Sequence, residues 1–113
     1  MKAIFKLGAV FITSNAASAL SCKALMDALE RHAFGDWGDV CYDDWNRNGL
    51  ALGNGKRIVS TYHDLNGRQF WIITEENRRQ TIVLLPEDYQ SFHRQKQKVK
   101  QTPARKTTGR PAR

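Results

Sequence analysis

The hydrophobic period changes near residue 55, and that change limits the folds open to this chain more than any other feature. Residues 57–63 alternate Ile58, Ser60 and Tyr62 against Val59, Thr61 and His63. Residues 69–75 alternate Phe70, Ile72 and Thr74 against Trp71, Ile73 and Glu75. A period of two sends successive side chains to opposite faces of a strand. Asp64-Leu65-Asn66-Gly67 between them is a hairpin connection, because Asn and Gly tolerate the positive φ a reversal needs. A second reversal at Glu76-Asn77-Arg78-Arg79 leads into residues 81–85, and Pro86 ends that run because it has no N–H for a ladder.

Ahead of residue 55 the spacing is helical. Residues 3–13 read as a short strand or extended lead-in, and Thr13-Ser14-Asn15 as its passage into a helix cap. Ser21 caps a longer helix in which Cys22, Leu25, Met26, Leu29 and Ala33 form an apolar stripe, closed by Gly35. Gly35-Asp36-Trp37-Gly38-Asp39 is a turn bracketing a tryptophan. Residues 42–52 carry a weaker helical pattern, Trp45, Asn48/Gly49 and Leu52, stopped by Asn54-Gly55. The expected fold is therefore α+β, with N-terminal helices packed on a three-stranded antiparallel meander so that the helical stripes cover one sheet face.

Charge divides the chain differently. Of 113 residues, eighteen are Lys or Arg and eleven Asp or Glu, a net of +7. Residues 93–113 hold eight of the cations (Arg94, Lys96, Lys98, Lys100, Arg105, Lys106, Arg110 and Arg113) and none of the acids. The first 92 residues are left with ten cations and eleven acids, a net of −1. The expected organisation is one compact domain over 1–92 and a flexible basic tail over 93–113, which lacks the apolar content to offset its ordering entropy. Such a tail is drawn to polyphosphate. If about half its cations touch phosphates, duplex binding falls with salt at a log–log slope of about −3 to −4. The rival reading is a tail that only confers solubility.

The longest apolar run, residues 7–12, is too short to cross a bilayer, so no membrane partner is expected. Lys2, Lys6 and Ala17-Ser18-Ala19 imitate a secretory signal, but the apolar stretch is short and a cytoplasmic location is the better reading. Cys22 and Cys41 lack any zinc-ligand spacing and read as two buried thiols.

The common nucleotide, hydrolase and zinc-protease motifs are missing; His32, His63 and His93 are isolated, and His32 and His63 read as partly exposed polar residues. Asp36, Asp39, Asp43 and Asp44 form the acidic cluster. They suit helix capping and dipole complementation, and secondarily a divalent cation or a basic partner. Trp71 is assigned to packing, whereas Trp37, on a turn, is the candidate exposed anchor. Asp64 and Glu75 with Arg78 and Arg79 can also be drawn as a magnesium-dependent nuclease. No cofactor or metal is expected. The partner-binding set is Trp37, Asp36, Asp39, Asp43, Asp44, Arg78 and Arg79, and the eight tail cations are the nucleic-acid set.

The ordered combination Gly35-Asp36-Trp37-Gly38, Asn48 with Leu52, Arg57-Ile58-Val59-Ser60-Thr61-Tyr62, Trp71-Ile72-Ile73-Thr74-Glu75 and Thr81-Ile82-Val83-Leu84-Leu85-Pro86-Glu87-Asp88-Tyr89 resembles small "plasmid-related" proteins of bacterial plasmids, integrative elements and phages. Where those carry an Ala-Asp-Arg-Ser-like turn, this chain has Glu76-Asn77-Arg78-Arg79, and the basic tail lies outside the similarity. The resemblance implies mobile-element cargo. The expected function is a non-enzymatic inhibitor of a host defence system, anti-CRISPR or anti-restriction, that docks on a host protein or nucleoprotein complex while its tail contacts nucleic-acid phosphates. The alternatives are a nucleic-acid-binding accessory protein of plasmid maintenance and the nuclease or toxin.

Overall fold

The computed structural model describes residues 3–89. The chain is α+β. Strand β1 (Ala9–Ile12) is followed by helices α1 (Ser14–Ala19), α2 (Cys22–Ala33) and α3 (Tyr42–Asn54). Strands β2 (Ile58–His63), β3 (Gln69–Thr74) and β4 (Gln80–Leu84) come next, with a single tight turn at Glu76–Arg78 before the last. The sheet has four strands in the order β1-β4-β3-β2.

The antiparallel meander β2-β3-β4 forms as its alternation requires, with Ser60 opposite Ile72 and Ile72 opposite Val83. The expected three-stranded sheet is incomplete, however, because β1 adds to β4 in parallel, with Ala9 opposite Gln80 and Ile12 opposite Val83. A glycine makes this junction. Gly8 has φ +68°, and a Cβ there would stand 2.3 Å from the Arg79 carbonyl oxygen. The close approach lets the Ala9 N–H donate to that oxygen at 3.1 Å.

Helix starts follow their caps. Thr13 accepts from the Ala16 N–H and Ser21 from the Ala24 N–H, each at 3.1 Å. Gly35 (φ +88°) and Gly55 (φ +75°) close α2 and α3 in the left-handed region. One sheet face packs Tyr62, Phe70, Ile72, Val83 and Leu85 against Ala16, Leu20, Leu25 and Ala28 of the first two helices. The α2 stripe is turned from the expected one: Leu25, Ala28, His32 and Ala33 are buried, while Met26 and Cys22 are exposed. The other sheet face gathers Ile73, Ile82 and Leu84 with Val59, Trp71 and Tyr89. Strand β4 is thus apolar on both faces, which explains its unbroken Ile-Val-Leu run.

Candidate docking surfaces

The turn at 35–39 is built around Asp36 and Trp37. Arg31 forks onto the Asp36 carboxylate, Nε at 2.8 Å and Nη2 at 3.3 Å, and this hydrogen-bonded cation holds the acid below its usual range. The same carboxylate accepts from the Gly38 N–H, while the Tyr62 hydroxyl donates to the Asp36 carbonyl at 2.7 Å. Trp37 is therefore not an exposed anchor. It is 2% exposed, with Phe5 and His32 rings at 6.0 and 5.8 Å, because the turn folds inward over Ala51 and Ile58.

Beyond the tryptophan the chain runs along the free edge of β2. Thr61 donates to the Trp37 carbonyl and accepts from the Asp39 N–H; Asn48 on α3 does the same for Val59, accepting from its N–H at 3.2 Å and donating to its carbonyl at 2.8 Å. These four bonds satisfy backbone groups that an open edge would present to another chain. Gly38 is needed here: its φ is +75°, and a Cβ would lie 2.0 Å from the Thr61 carbonyl oxygen.

A groove of about 1290 Å³ opens where α3 stands away from the second sheet face. Its floor is Val59, Trp71, Ile73 and Tyr89; its rim carries Asp39, Asp44, Glu75 and Glu76 together with Arg47, Lys56, Arg57 and Arg79. Of the expected partner-binding residues it brings together Asp39, Asp44 and Arg79. Asp39 also meets His63 Nδ1 at 2.7 Å, and Asp44 meets Arg47 at 2.8 Å. Asp36 and Trp37 belong to the inward turn, and Asp43 sits exposed in the first turn of α3. Arg78 is engaged within the fold: its guanidinium donates to the carbonyls of Ala51 and Lys56, both at 2.6 Å, and lies over the Phe5 ring. The Ala51 carbonyl also accepts from the Gly55 N–H, and Lys56 lies just past the helix, so Arg78 ties the end of α3 to the turn at 76–78.

The strongest polar feature is closed to solvent, and sequence reading missed it. His32, fully buried rather than partly exposed, touches Ser60 through Nδ1 and Thr74 through Nε2 at 2.8 Å. Thr74 meets Thr81 at 2.8 Å, and Thr81 donates to the Leu7 carbonyl at 2.7 Å. Each hydroxyl has one proton, so the direction is set throughout. Thr81 spends its proton on Leu7, Thr74 donates to Thr81, His32 Nε2–H donates to Thr74, and Ser60 donates to Nδ1. Burial, with Arg78 adding to it, lowers the His32 pKa to about 3, so the ring is neutral. The legible signal was position: His32 falls seven residues after Leu25, on the apolar stripe, and the three hydroxyls share the strand face of Tyr62, Ile72 and Val83.

Asp64 and Glu75 do not converge as the nuclease drawing requires. Asp64 accepts from the Asn66 and Arg68 N–H groups in the hairpin turn, whereas Glu75 follows the far end of β3. Both cysteines are exposed, not buried, because each sits at a helix start. Among the described residues no three His, Cys, Asp or Glu side chains come close enough to share a metal ion. No helix among them is long and apolar enough to cross a membrane. Arg94, Lys96, Lys98, Lys100, Arg105, Lys106, Arg110 and Arg113 lie outside the described residues. Comparison with family models, curated proteins and solved structures finds no match.

Proposed function

We propose that this chain is a non-enzymatic binding protein of a mobile genetic element, an anti-CRISPR or anti-restriction inhibitor of a host defence system, that docks on a protein or nucleoprotein assembly while residues 93–113 contact phosphates. The observation that carries the docking half is the groove between α3 and the second sheet face. Its volume exceeds the roughly 300–1000 Å³ of ordinary small-molecule sites. An apolar floor with both signs of charge on the rim suits a segment of folded protein, which offers apolar anchors and complementary charges together. Four acids and four bases balance on the rim, so it lacks the uniform positive charge that a polyanion alone would call for. The resemblance of the body motifs supplies the mobile-element setting, and the segregation of charge supplies the role of the tail.

The test is affinity capture from host lysate with three proteins: the full chain, a chain ending at residue 92, and Arg57→Glu/Arg79→Glu. The full chain recovers one defence assembly and its nucleic acid. The shortened chain keeps the protein but loses salt-sensitive nucleic acid, and the groove variant loses the protein. Recovery of nothing by the full chain, or undiminished recovery by the groove variant, rejects the proposal.

A further inference from the structure

The two ends of the sheet are finished differently. At β2 the edge is closed by the backbone of 37–39 and by Asn48, whereas β1, at the opposite end, is bonded on one side only, to β4. Parity fixes which of its backbone groups are left over. The Ala9 and Thr13 N–H groups donate to the carbonyls of Arg79 and Val83, at 3.1 and 3.0 Å, so along an extended strand Ala9, Phe11 and Thr13 face β4. Val10 and Ile12 therefore point their N–H and C=O groups outward, and among the described residues nothing covers them as Asn48 covers Val59. The edge also lacks the charge, proline or bulge that ordinarily blunts such a strand, since its register with β4 is unbroken. Phe11 is 52% exposed and Val10 and Ile12 are each 41%. Val10 and Ile12 lie on the helix-covered side of the sheet, with Thr81 and Val83, so this exposure means that no helix overhangs the edge.

The strand is complementary to itself. Its extended run is bounded by Gly8 in the left-handed region and by Ser14, the first residue of α1, while Thr13 is still extended at φ −64° and ψ 155°. Residues 9–13 thus have Phe11 at their midpoint. A two-fold axis through Phe11, normal to the sheet, sets Val10 against Ile12 of the other copy and Ile12 against its Val10, so both outward-facing pairs exchange both of their bonds. Phe11 then meets Phe11 of the other copy at the close, non-hydrogen-bonded position, where cross-strand aromatic contact is favourable. Neighbouring registers forfeit this. Moving the axis to Val10 sets Ile12 against the left-handed Gly8, and moving it to Ile12 sets Val10 against the helical Ser14.

We infer that the free edge of β1 pairs with β1 of a second copy of this chain, antiparallel about Phe11, so that one sheet runs through both copies. An edge this short buries far less than the ~800 Å² per partner of a permanent interface, so the pair is weak, with a dissociation constant on the order of 100 μM. The edge is separate from the docking groove, because no residue of β1 lines it. The inference stands whether or not the groove finds the proposed target.

Sedimentation velocity on the full chain from 20 μM to 1 mM tests the pairing, with residue-level amide exchange by NMR. The expected results are a monomer–dimer equilibrium and exchange at Val10 and Ile12 that slows about threefold between 50 μM and 1 mM as dimer accumulates, while Phe11, which faces β4, stays slow throughout. Phe11→Lys and Phe11→Glu each set like charges face to face on the axis and weaken pairing about tenfold. An equimolar mixture of the two regains it, because only on the axis does a residue meet its own copy. Val10→Pro removes an N–H that faces solvent in the monomer, a place where an edge strand tolerates proline, and abolishes the dimer. A monomer at 1 mM overturns the inference and leaves the edge to a strand of a different protein. So does a dimer that persists in Val10→Pro, or Phe11 variants whose mixture pairs no better than either alone.

Discussion

Helices α2 and α3 are of nearly equal length, twelve and thirteen residues, and both end on a left-handed glycine, yet they are held in opposite ways. Helix α2 lies on the sheet and buries Leu25, Ala28 and Ala33, with His32 at the centre of a hydroxyl network. Helix α3 stands at the sheet's edge, held by one amide side chain, one alanine and the carbonyls that Arg78 caps. A helix on a sheet face spends its apolar stripe on folding. A helix bonded to a strand edge leaves its stripe exposed.

If α2 is the interior helix, the largest effect is obtained by charging His32. Its folded pKa of about 3 lies below the unfolded value of about 6.5. Between these values only the unfolded chain binds the proton, so the stabilisation is complete above about pH 6.5 and is lost as pH falls. The loss is about 1.4 kcal/mol per pH unit, reaching about 4–5 kcal/mol near pH 3. Asp36 and Asp88 are also held below their usual range, Asp88 because bonds from Thr13, Asn15 and the Leu85 N–H outweigh its burial. Their loss begins lower, below about pH 4. The interval from pH 6.5 to 4.5 thus lies above the losses from Asp36 and Asp88. Denaturant unfolding at pH 7, 6 and 5 should show the fall in the wild type and a much flatter profile in His32→Gln, which can hydrogen-bond but not titrate. A flat wild-type profile would mean that the imidazole is reached by water.

The attachment of α3 is sharpened by Asn48→Ala. The substitution leaves the N–H and C=O of Val59 on a covered edge without their partner, at a cost of about 2–3 kcal/mol. Amide exchange at Val59 should accelerate with the loss of melting temperature. If Val59 stays protected, the edge is held by packing rather than by the amide pair.

The elements themselves were legible because each is announced locally. Thr13 and Ser21 cap, Gly35 and Gly55 stop, and the alternation of 57–63 and 69–74 states its own period. What the sequence did not reveal is the pairing of β1. All four residues of β1 are exposed, so no alternation marks them, and their partner in β4 lies about seventy residues away. Trp37 looked like a surface turn residue because two glycines flank it, but those glycines let the turn fold inward. His32 needed Ser60, Thr74 and Thr81, which only the sheet register assembles. For the docking surfaces, the acid and base types were readable while their grouping was not: Arg79 lines the groove and Arg78, its neighbour, turns into the fold.

The smallest effect separates the stripe of α3 from that of α2 most directly, because it has the opposite sign. A helical glycine costs about 1 kcal/mol relative to alanine through backbone entropy, and at Gly53 an added Cβ meets nothing within 4 Å. Gly53→Ala should therefore stabilise dilute protein by about 1 kcal/mol, raising its melting temperature by roughly 4–8 °C for a domain of this size. The corresponding change on the inner face of α2, Ala28→Gly, removes a buried methyl as well as helix propensity and must destabilise. Were Gly53→Ala to destabilise dilute protein instead, the outer face of α3 would be packed within the single chain.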